Sequence, residues 1–362
     1  MNLLDVGLVL VGLVLLVGGG EALVRGASSI AQRLGMSSLV VGLTVVSVST
    51  STPELAVTTG AVLGGQPELA VGNVVGSNIA NILLILGISA LVLPLLTRRR
   101  LLRLDLPFMV ALSVLLLVLA LDGSISRWDG ALLLALFVAH MAYSVTTGRH
   151  DPDDPAADDA GTPLPLGRAV LVLVVGVGLL VLGSRWLVDG ASAIAADLGL
   201  SDLVIGLTVV AIGTSLPELA ASVVAVRKGE RDLAIGNVVG SNIANIGLVL
   251  GLPSLVSGAG IDVPRAAVVL DLPLMIAVSV ALLPIAFTGF AVKRWEGALF
   301  LALYVSYLAY LVLWATDHDA LDGFTLVVGA FVLPIVALTL VLLAVHEWGL
   351  IRGRAQARRE QG

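Results

Sequence analysis

Cysteine is absent from this chain, so it can form neither a disulfide framework nor a thiolate metal site. Charge is scarce as well: charged residues make up 13% of the sequence, and a soluble domain of this length needs far more polar surface. The four histidines, at 140, 150, 318 and 346, share no motif and are assigned no chemistry. Neither a cofactor nor a nucleic-acid partner is expected. What the chain has in abundance is apolar sequence, 58% of residues, with a mean hydropathy of +1.05. Runs long enough to cross a bilayer core of roughly 30 Å recur from end to end. They lie near 3–31, 38–61, 69–96, 104–122, 126–146, 168–196, 202–226, 233–258, 265–288, 293–315 and 322–348. Lipid offers the backbone no hydrogen-bonding partner, and the alternation a barrel needs is missing, so these spans are expected to be helices. The first run is too long for a signal peptide, and no Ala-x-Ala-type cleavage site follows it.

Two eleven-residue stretches are identical, Gly72 to Ile82 and Gly236 to Ile246, an offset of 164 residues. Gly42-Leu-Thr-Val-Val46 matches Gly206-Leu-Thr-Val-Val210, and Thr50-Ser-Thr-Pro-Glu54 matches Thr214-Ser-Leu-Pro-Glu218. Each copy thus sets an acid directly after a proline, 27 residues before an asparagine: Glu54 before Asn81, Glu218 before Asn245. A duplicated acid inside a duplicated apolar segment is the mark of a transporter built from two repeats. Further matches, Gly26-Ala-Ser with Gly190-Ala-Ser, Leu104-Asp-Leu-Pro with Leu270-Asp-Leu-Pro, and Arg127-Trp-Asp-Gly-Ala with Arg294-Trp-Glu-Gly-Ala, extend the duplication over five spans in each copy. Five is odd, so the second copy must enter from the opposite face. The expected architecture is an all-α polytopic membrane protein with two inverted five-helix repeats (ten core helices) plus one extra C-terminal helix. Its parts are a first repeat over 1–146, an acidic linker over 147–167, a second repeat over 168–315, and the extra helix with a basic tail over 316–362.

The linker contains Asp151-Pro-Asp-Asp-Pro-Ala-Ala-Asp-Asp159, polar and proline-broken, as a flexible connection is. Arginine and lysine set the orientation. One side collects Arg33, Arg98, Arg99, Arg100, Arg103, Arg149, Arg168, Arg227, Lys228, Arg231, Lys293, Arg294, Arg352, Arg354, Arg358 and Arg359, the other only Arg127 and Arg265. By the positive-inside rule the N-terminus is expected outside, and the linker and C-terminus in the cytoplasm, of a multi-pass plasma-membrane protein.

Pro53 lacks an N–H and clashes with the carbonyl four residues back, so the second helix should kink there and free carbonyls around Ser47 to Thr50. Irregular backbone at membrane depth is tolerated only where it is buried or lines a wet cavity. Thr50, Ser51 and Glu54 share a face. Pro217 and Glu218 repeat the pattern with Thr214 and Ser215, and the freed carbonyls there run from Ala211 to Thr214. Ser77 and Asn81 lie i, i+4 apart in the next helix, as do Ser241 and Asn245. All of these are oxygen ligands, which suit hard cations such as Ca²⁺ and Na⁺ and argue against zinc, copper or iron. Two carboxylates balance one Ca²⁺ or two Na⁺. Blander readings exist for the neighbours. The glycines form a small-residue stripe that packs helices closely. Asp105 and Asp271, each beside a proline, read as interfacial caps, and Glu21 with Arg25 reads as an intrahelical pair.

These residues resemble the alpha-repeats of the calcium/cation antiporter superfamily, most closely its prokaryotic sodium/calcium exchangers, over about residues 1–315. The resemblance implies ten core helices, with helices two, three, seven and eight around the sites and helices one and six sliding across them. It implies a Ca²⁺ site at Glu54 and Glu218 with the Thr50 and Thr214 carbonyls. One flanking Na⁺ site would use the Ser47 carbonyl, Ser51, Ser77 and Glu218. The other would use the Ala211 carbonyl, Thr214, Ser215, Ser241 and Glu54, and Asn81 and Asn245 fall on the middle position. Many such exchangers carry Asp where this chain has Asn245, so one titratable group is missing. The implied function is Na⁺/Ca²⁺ antiport, with both ions competing for the two glutamates. Ca²⁺/H⁺ exchange at the same glutamates is the alternative within transport. A channel would want a continuous lined pore, and an intramembrane enzyme would want a nucleophile, histidine or metal beside the acids.

Overall fold

A computed structural model describes residues 2–148, 162–257 and 260–360. The acidic stretch 151–159 lies outside them. Among the described residues, nine continuous helices are long and apolar enough to cross a membrane. They are α1 (Leu3–Leu34), α3 (Pro67–Val92), α4 (Leu101–Asp122), α5 (Arg127–Thr147), α6 (Leu166–Asp197), α8 (Arg231–Val256), α9 (Ala267–Phe290), α10 (Arg294–Ala315) and α11 (Leu321–Glu347). A tenth span, α2, consists of Ser38–Thr50 and Thr52–Leu63, bent by 43° at the break. The corresponding span of the second half, α7, runs in pieces: Asp202–Ile205, Gly206–Val210, Ala211–Gly213 and, after a two-residue break, Leu216–Arg227. Its interruption keeps it from counting as a continuous membrane helix.

The duplication is visible in local geometry. π-helical turns, which often sit at functional sites, fall at matched places in the two halves. Gly42–Val46 answers Gly206–Val210, Asn81–Leu86 answers Asn245–Leu250, and Leu101–Asp105 answers Ala267–Asp271. Two short antiparallel pairings tie the halves together crosswise. β1 (Leu95–Leu96) pairs with β4 (Ala291–Val292), and β2 (Ser124–Ile125) pairs with β3 (Ile261–Asp262). Exchanging the halves turns one pairing into the other.

α1 and α6 lie antiparallel along a seam of glycine. A Cβ on Gly12 would come within 2.8 Å of the Gly183 carbonyl, and one on Gly176 within 2.5 Å of the Leu23 amide. Backbones this close give a smooth interface of small residues. The centre of the molecule belongs to α3 and α8: 83% and 94% of their most apolar windows are buried, against 6% for α11. The repeated asparagine and serine motifs therefore sit in the core, and α11 lies on its outside.

Candidate functional site

Proline fixes where each broken helix restarts. Pro53 and Pro217 stand in the first turn of Thr52–Leu63 and Leu216–Arg227, and the residues before the restart, Ser51 (ψ 5°) and Ser215 (ψ 4°), have left helical geometry. Glu54 and Glu218 follow in that same turn, where the positive end of the helix dipole favours a carboxylate. Both are 1% exposed. The packing then crosses the repeats. Thr52–Leu63 lies against the π turn Asn245–Leu250 of α8, and Leu216–Arg227 lies against Asn81–Leu86 of α3.

The structure buries Ser47, Thr50, Ser51, Glu54, Ser77, Asn81, Ser215, Glu218, Ser241 and Asn245. Thr214 is half-buried and Ala211 exposed. Ser51 Oγ donates across the halves to Glu218 Oε1 at 3.4 Å, and Thr50 Oγ1 lies 3.2 Å from Asn237 Oδ1. The Ser47 and Thr50 hydroxyls also bond carbonyls of their own helix, at Leu43 (2.7 Å) and Val46 (3.1 Å). The Ser47 carbonyl is not stripped of its helical partner, since the Ser51 N–H still reaches it at 2.9 Å. The proline removes a donor only at position 53. In α7 the Ser215 N–H turns to the Ile212 carbonyl instead of Ala211.

Two further asparagines in each copy hold the site together. Asn73 Nδ2 reaches the Glu54 carbonyl (3.3 Å) and Thr58 Oγ1 (3.0 Å), and Asn237 Nδ2 reaches the Glu218 carbonyl (3.4 Å) and Ser222 Oγ (3.0 Å). Asn78 and Asn242 work across the halves. Asn242 Oδ1 accepts from Asn81 Nδ2 at 3.1 Å, and Asn78 Oδ1 accepts from Asn245 Nδ2 at 3.1 Å. Their own amide nitrogens point to Met109 Sδ (3.5 Å) and Met275 Sδ (3.4 Å), which can only accept. That fixes the amides of Asn81 and Asn245 with nitrogen outward and oxygen free. The duplicated string carried these asparagines in plain view; spacing alone did not separate orienting amides from ligating ones.

Among the buried polar atoms without a hydrogen-bond partner in the described residues, six are oxygens of the duplicated motifs: Glu54 Oε2, Glu218 Oε2, Asn81 Oδ1, Asn245 Oδ1, Ser215 Oγ and Ser241 Oγ. Each such orphan costs about 1–3 kcal/mol, more when charged. Oxygens of this kind are what hard cations such as Ca²⁺ and Na⁺ take as ligands. No group of three or more His, Cys, Asp and Glu suited to a metal occurs among the described residues; Glu54 and Glu218 are the acids among the six.

The two halves do not close equally. A Cβ on Gly236 would meet the Leu39 carbonyl at 2.5 Å, and one on Gly240 the Leu43 carbonyl at 2.5 Å. The first part of α2 is thus pressed onto α8. Their counterparts Gly72 and Gly76 of α3, and Gly206 of α7, have nothing within 4 Å. Between α2, α6 and α7 an open cavity of about 240 Å³ reaches Thr214, Pro53 and Pro217 past Ser184 and Val188 of α6. The sealed side is also latched: Glu230, before α8, accepts from Ser28 of α1 (3.0 Å) and Ser38 of α2 (2.9 Å). Gln66 holds the matching place in the first half, and Ser192 Oγ of α6, the counterpart of Ser28, has no partner among the described residues.

Two minor expectations are corrected. Asp105 caps nothing; it is buried, with Oδ1 3.5 Å from His140 Nε2 and Oδ2 3.8 Å from Arg100 Nε, because its π turn aims it at α5. Glu21 and Arg25 do not pair, whereas Arg185 and Asp189 of α6 do at 3.9 Å.

The sodium/calcium exchanger protein family matches residues 4–146 and 168–313. The inner membrane protein YrbG of Escherichia coli is 41% identical over 72% of this chain and 82% of its own length. The sodium/calcium exchanger MaX1 of Methanosarcina acetivorans is 35% identical over 84% of this chain and 97% of its own. Among solved structures, the sodium-calcium exchanger NCX_Mj superposes with a TM-score of 0.74 at 34% identity, over 86% of this chain and 100% of that one. MaX1 and NCX_Mj are exchangers, not enzymes, and the chain belongs to the sodium/calcium exchanger family, as a multi-pass membrane antiporter of cations and calcium.

Proposed function

We propose that the chain exchanges Na⁺ for Ca²⁺ across the plasma membrane by alternating access, with both ions competing for Glu54 and Glu218. The observation that carries this is the set of six donor-less buried oxygens from both repeats, two of them carboxylate. One Ca²⁺ or two Na⁺ neutralises the pair, and Ser51, Thr50, Ser77 and Ser47 on one flank answer Ser215, Thr214, Ser241 and Ala211 on the other. Asn81 and Asn245 add neutral oxygens between them. The bare carboxylates are too costly to carry across hydrocarbon, by roughly 2.5–3.5 kcal/mol each on the scale for Asp. The empty carrier therefore does not cross, and flux of one ion requires counterflux of the other. Proton coupling would need no hydroxyl flanks, so the hydroxyl-rich set favours Na⁺. Unequal closure supports alternating access: the cavity reaches Thr214 on one side while α2 is sealed on α8 at the other. The reciprocal state would press α7 onto α3 and lift α2 from α8.

The test is ⁴⁵Ca²⁺ uptake into proteoliposomes loaded with Na⁺, and again under a pH gradient without Na⁺. The expected result is uptake driven by Na⁺ and lost in both Glu54→Gln and Glu218→Gln, each of which still purifies as a folded protein. Uptake driven by protons alone would reassign the protein to Ca²⁺/H⁺ exchange.

A further inference from the structure

α11 stands outside both the repeat and the family match, yet it completes a pocket. An open cavity of about 670 Å³ lies where α11 meets the start of α4 and the end of α9. Phe287 and Phe290 of α9 and Ala344 and Val345 of α11 form apolar walls, and Arg99 and Arg103, both exposed, line it as well. Their neighbours are engaged. Arg98 pairs with Asp232, and Arg100 with Asp105 and, at 3.3 Å, the Ser144 carbonyl. Arg99 and Arg103 are exposed and have no hydrogen bond or ion pair among the described residues. Two free guanidiniums over an apolar slot make a site for a molecule that is anionic at one end and hydrocarbon at the other.

Position narrows the class. The slot opens at the arginine-rich end of the molecule, the end that charge asymmetry assigns to the cytoplasm. Anionic headgroups enrich that leaflet, and basic pockets between membrane helices there bind them. Guanidinium forks match phosphate oxygens two at a time. Beyond the pocket the chain adds Arg352, Arg354, Arg358 and Arg359. A second copy of the chain would fit the apolar walls but would leave the two arginines facing another basic rim. We propose that this pocket holds an anionic diacyl phospholipid of the cytoplasmic leaflet. Its phosphate lies on Arg99 and Arg103, and its acyl chains lie between α9 and α11. The lipid would fill the space left between the end of α11, the end of α9 and the start of α4.

The test uses the full-length protein, stripped of lipid in mild detergent and titrated with phosphatidylglycerol or phosphatidylcholine, with bound lipid counted by native mass spectrometry. Wild type should prefer phosphatidylglycerol. At a contribution of one surface charge each, a single Arg99→Gln or Arg103→Gln should lower that preference about fivefold and the double variant roughly 30-fold. Phosphatidylcholine binding should stay unchanged, which shows that the variant is folded. Arg99→Lys with Arg103→Lys should keep most of the preference. Equal phosphatidylglycerol binding in wild type and the double glutamine variant would overturn the proposal. So would displacement by millimolar inorganic phosphate, which would mark a soluble-anion site, or a dimer whose lipid count ignores both arginines. The measurement reads no ion flux, so it stands or falls apart from the coupling ion.

Discussion

Asn78 and Asn242 decide which atoms of Asn81 and Asn245 meet an ion. Because their own nitrogens are committed to methionine sulfur, they can offer only oxygen, and the middle amides must turn nitrogen outward. Asn242→Leu removes the acceptor and frees the Asn81 amide to rotate. With one hydrogen bond worth about 1 kcal/mol, the apparent Ca²⁺ affinity should fall about fivefold. Asn242→Asp, which keeps an oxygen facing Asn81, should hold that amide in place. Calcium titrations of the two variants check this, and equal loss in both would show that position 242 matters for packing alone. The glutamates, hydroxyls and middle asparagines were legible in the sequence because duplication marks them twice. The orienting role of Asn78 and Asn242 was not, since it depends on a partner some 160 residues away. Nor was the Asp105–His140 contact, which links α4 to α5 through a π turn that no local pattern announces.

At the level of elements, identical sequences in the two copies adopt different packing. Gly240 is locked against Leu43 while its twin Gly76 faces open space. Overpacking a close contact costs about 1–3 kcal/mol. Gly240→Val should therefore lower the melting temperature of the purified protein, whereas Gly76→Val should leave it unchanged. If the reciprocal state presses α7 onto α3, Gly76→Val should nonetheless stop transport by blocking that closure. Full activity in Gly76→Val would contradict a symmetric exchange of seals. The Glu230 latch belongs to the same argument. Glu230→Ala releases Ser28 and Ser38 and should raise the accessibility of cysteines introduced along the α2–α8 seam, read by thiol labelling, with no shift expected if the latch is incidental. The sequence marked the breaks at Pro53 and Pro217, but could not tell which of two equal halves would be closed. That choice lies in tertiary packing, and it is why Ala211 and Thr214 stand less buried than Ser47 and Thr50.

Over the whole molecule, the candidate site residues lie on α2, α3, α7 and α8, and none lies on α11. The family match ends at residue 313, and the solved exchanger is covered completely by 86% of this chain. Ending the chain at residue 315 should therefore leave calcium flux intact while abolishing the preference for anionic lipid; loss of flux would give α11 a part in transport. Inversion was readable from the odd number of spans per repeat, and the crosswise β pairings and antiparallel glycine seam are its physical form. The most direct measurement of ion competition is equilibrium ⁴⁵Ca²⁺ binding to the purified protein as Na⁺ is raised at constant ionic strength and pH. One shared pair of glutamates predicts that Na⁺ displaces Ca²⁺ completely, with a Hill slope above one, and that Glu54→Gln and Glu218→Gln bind no Ca²⁺. Calcium binding indifferent to Na⁺, or retained in either variant, would contradict it.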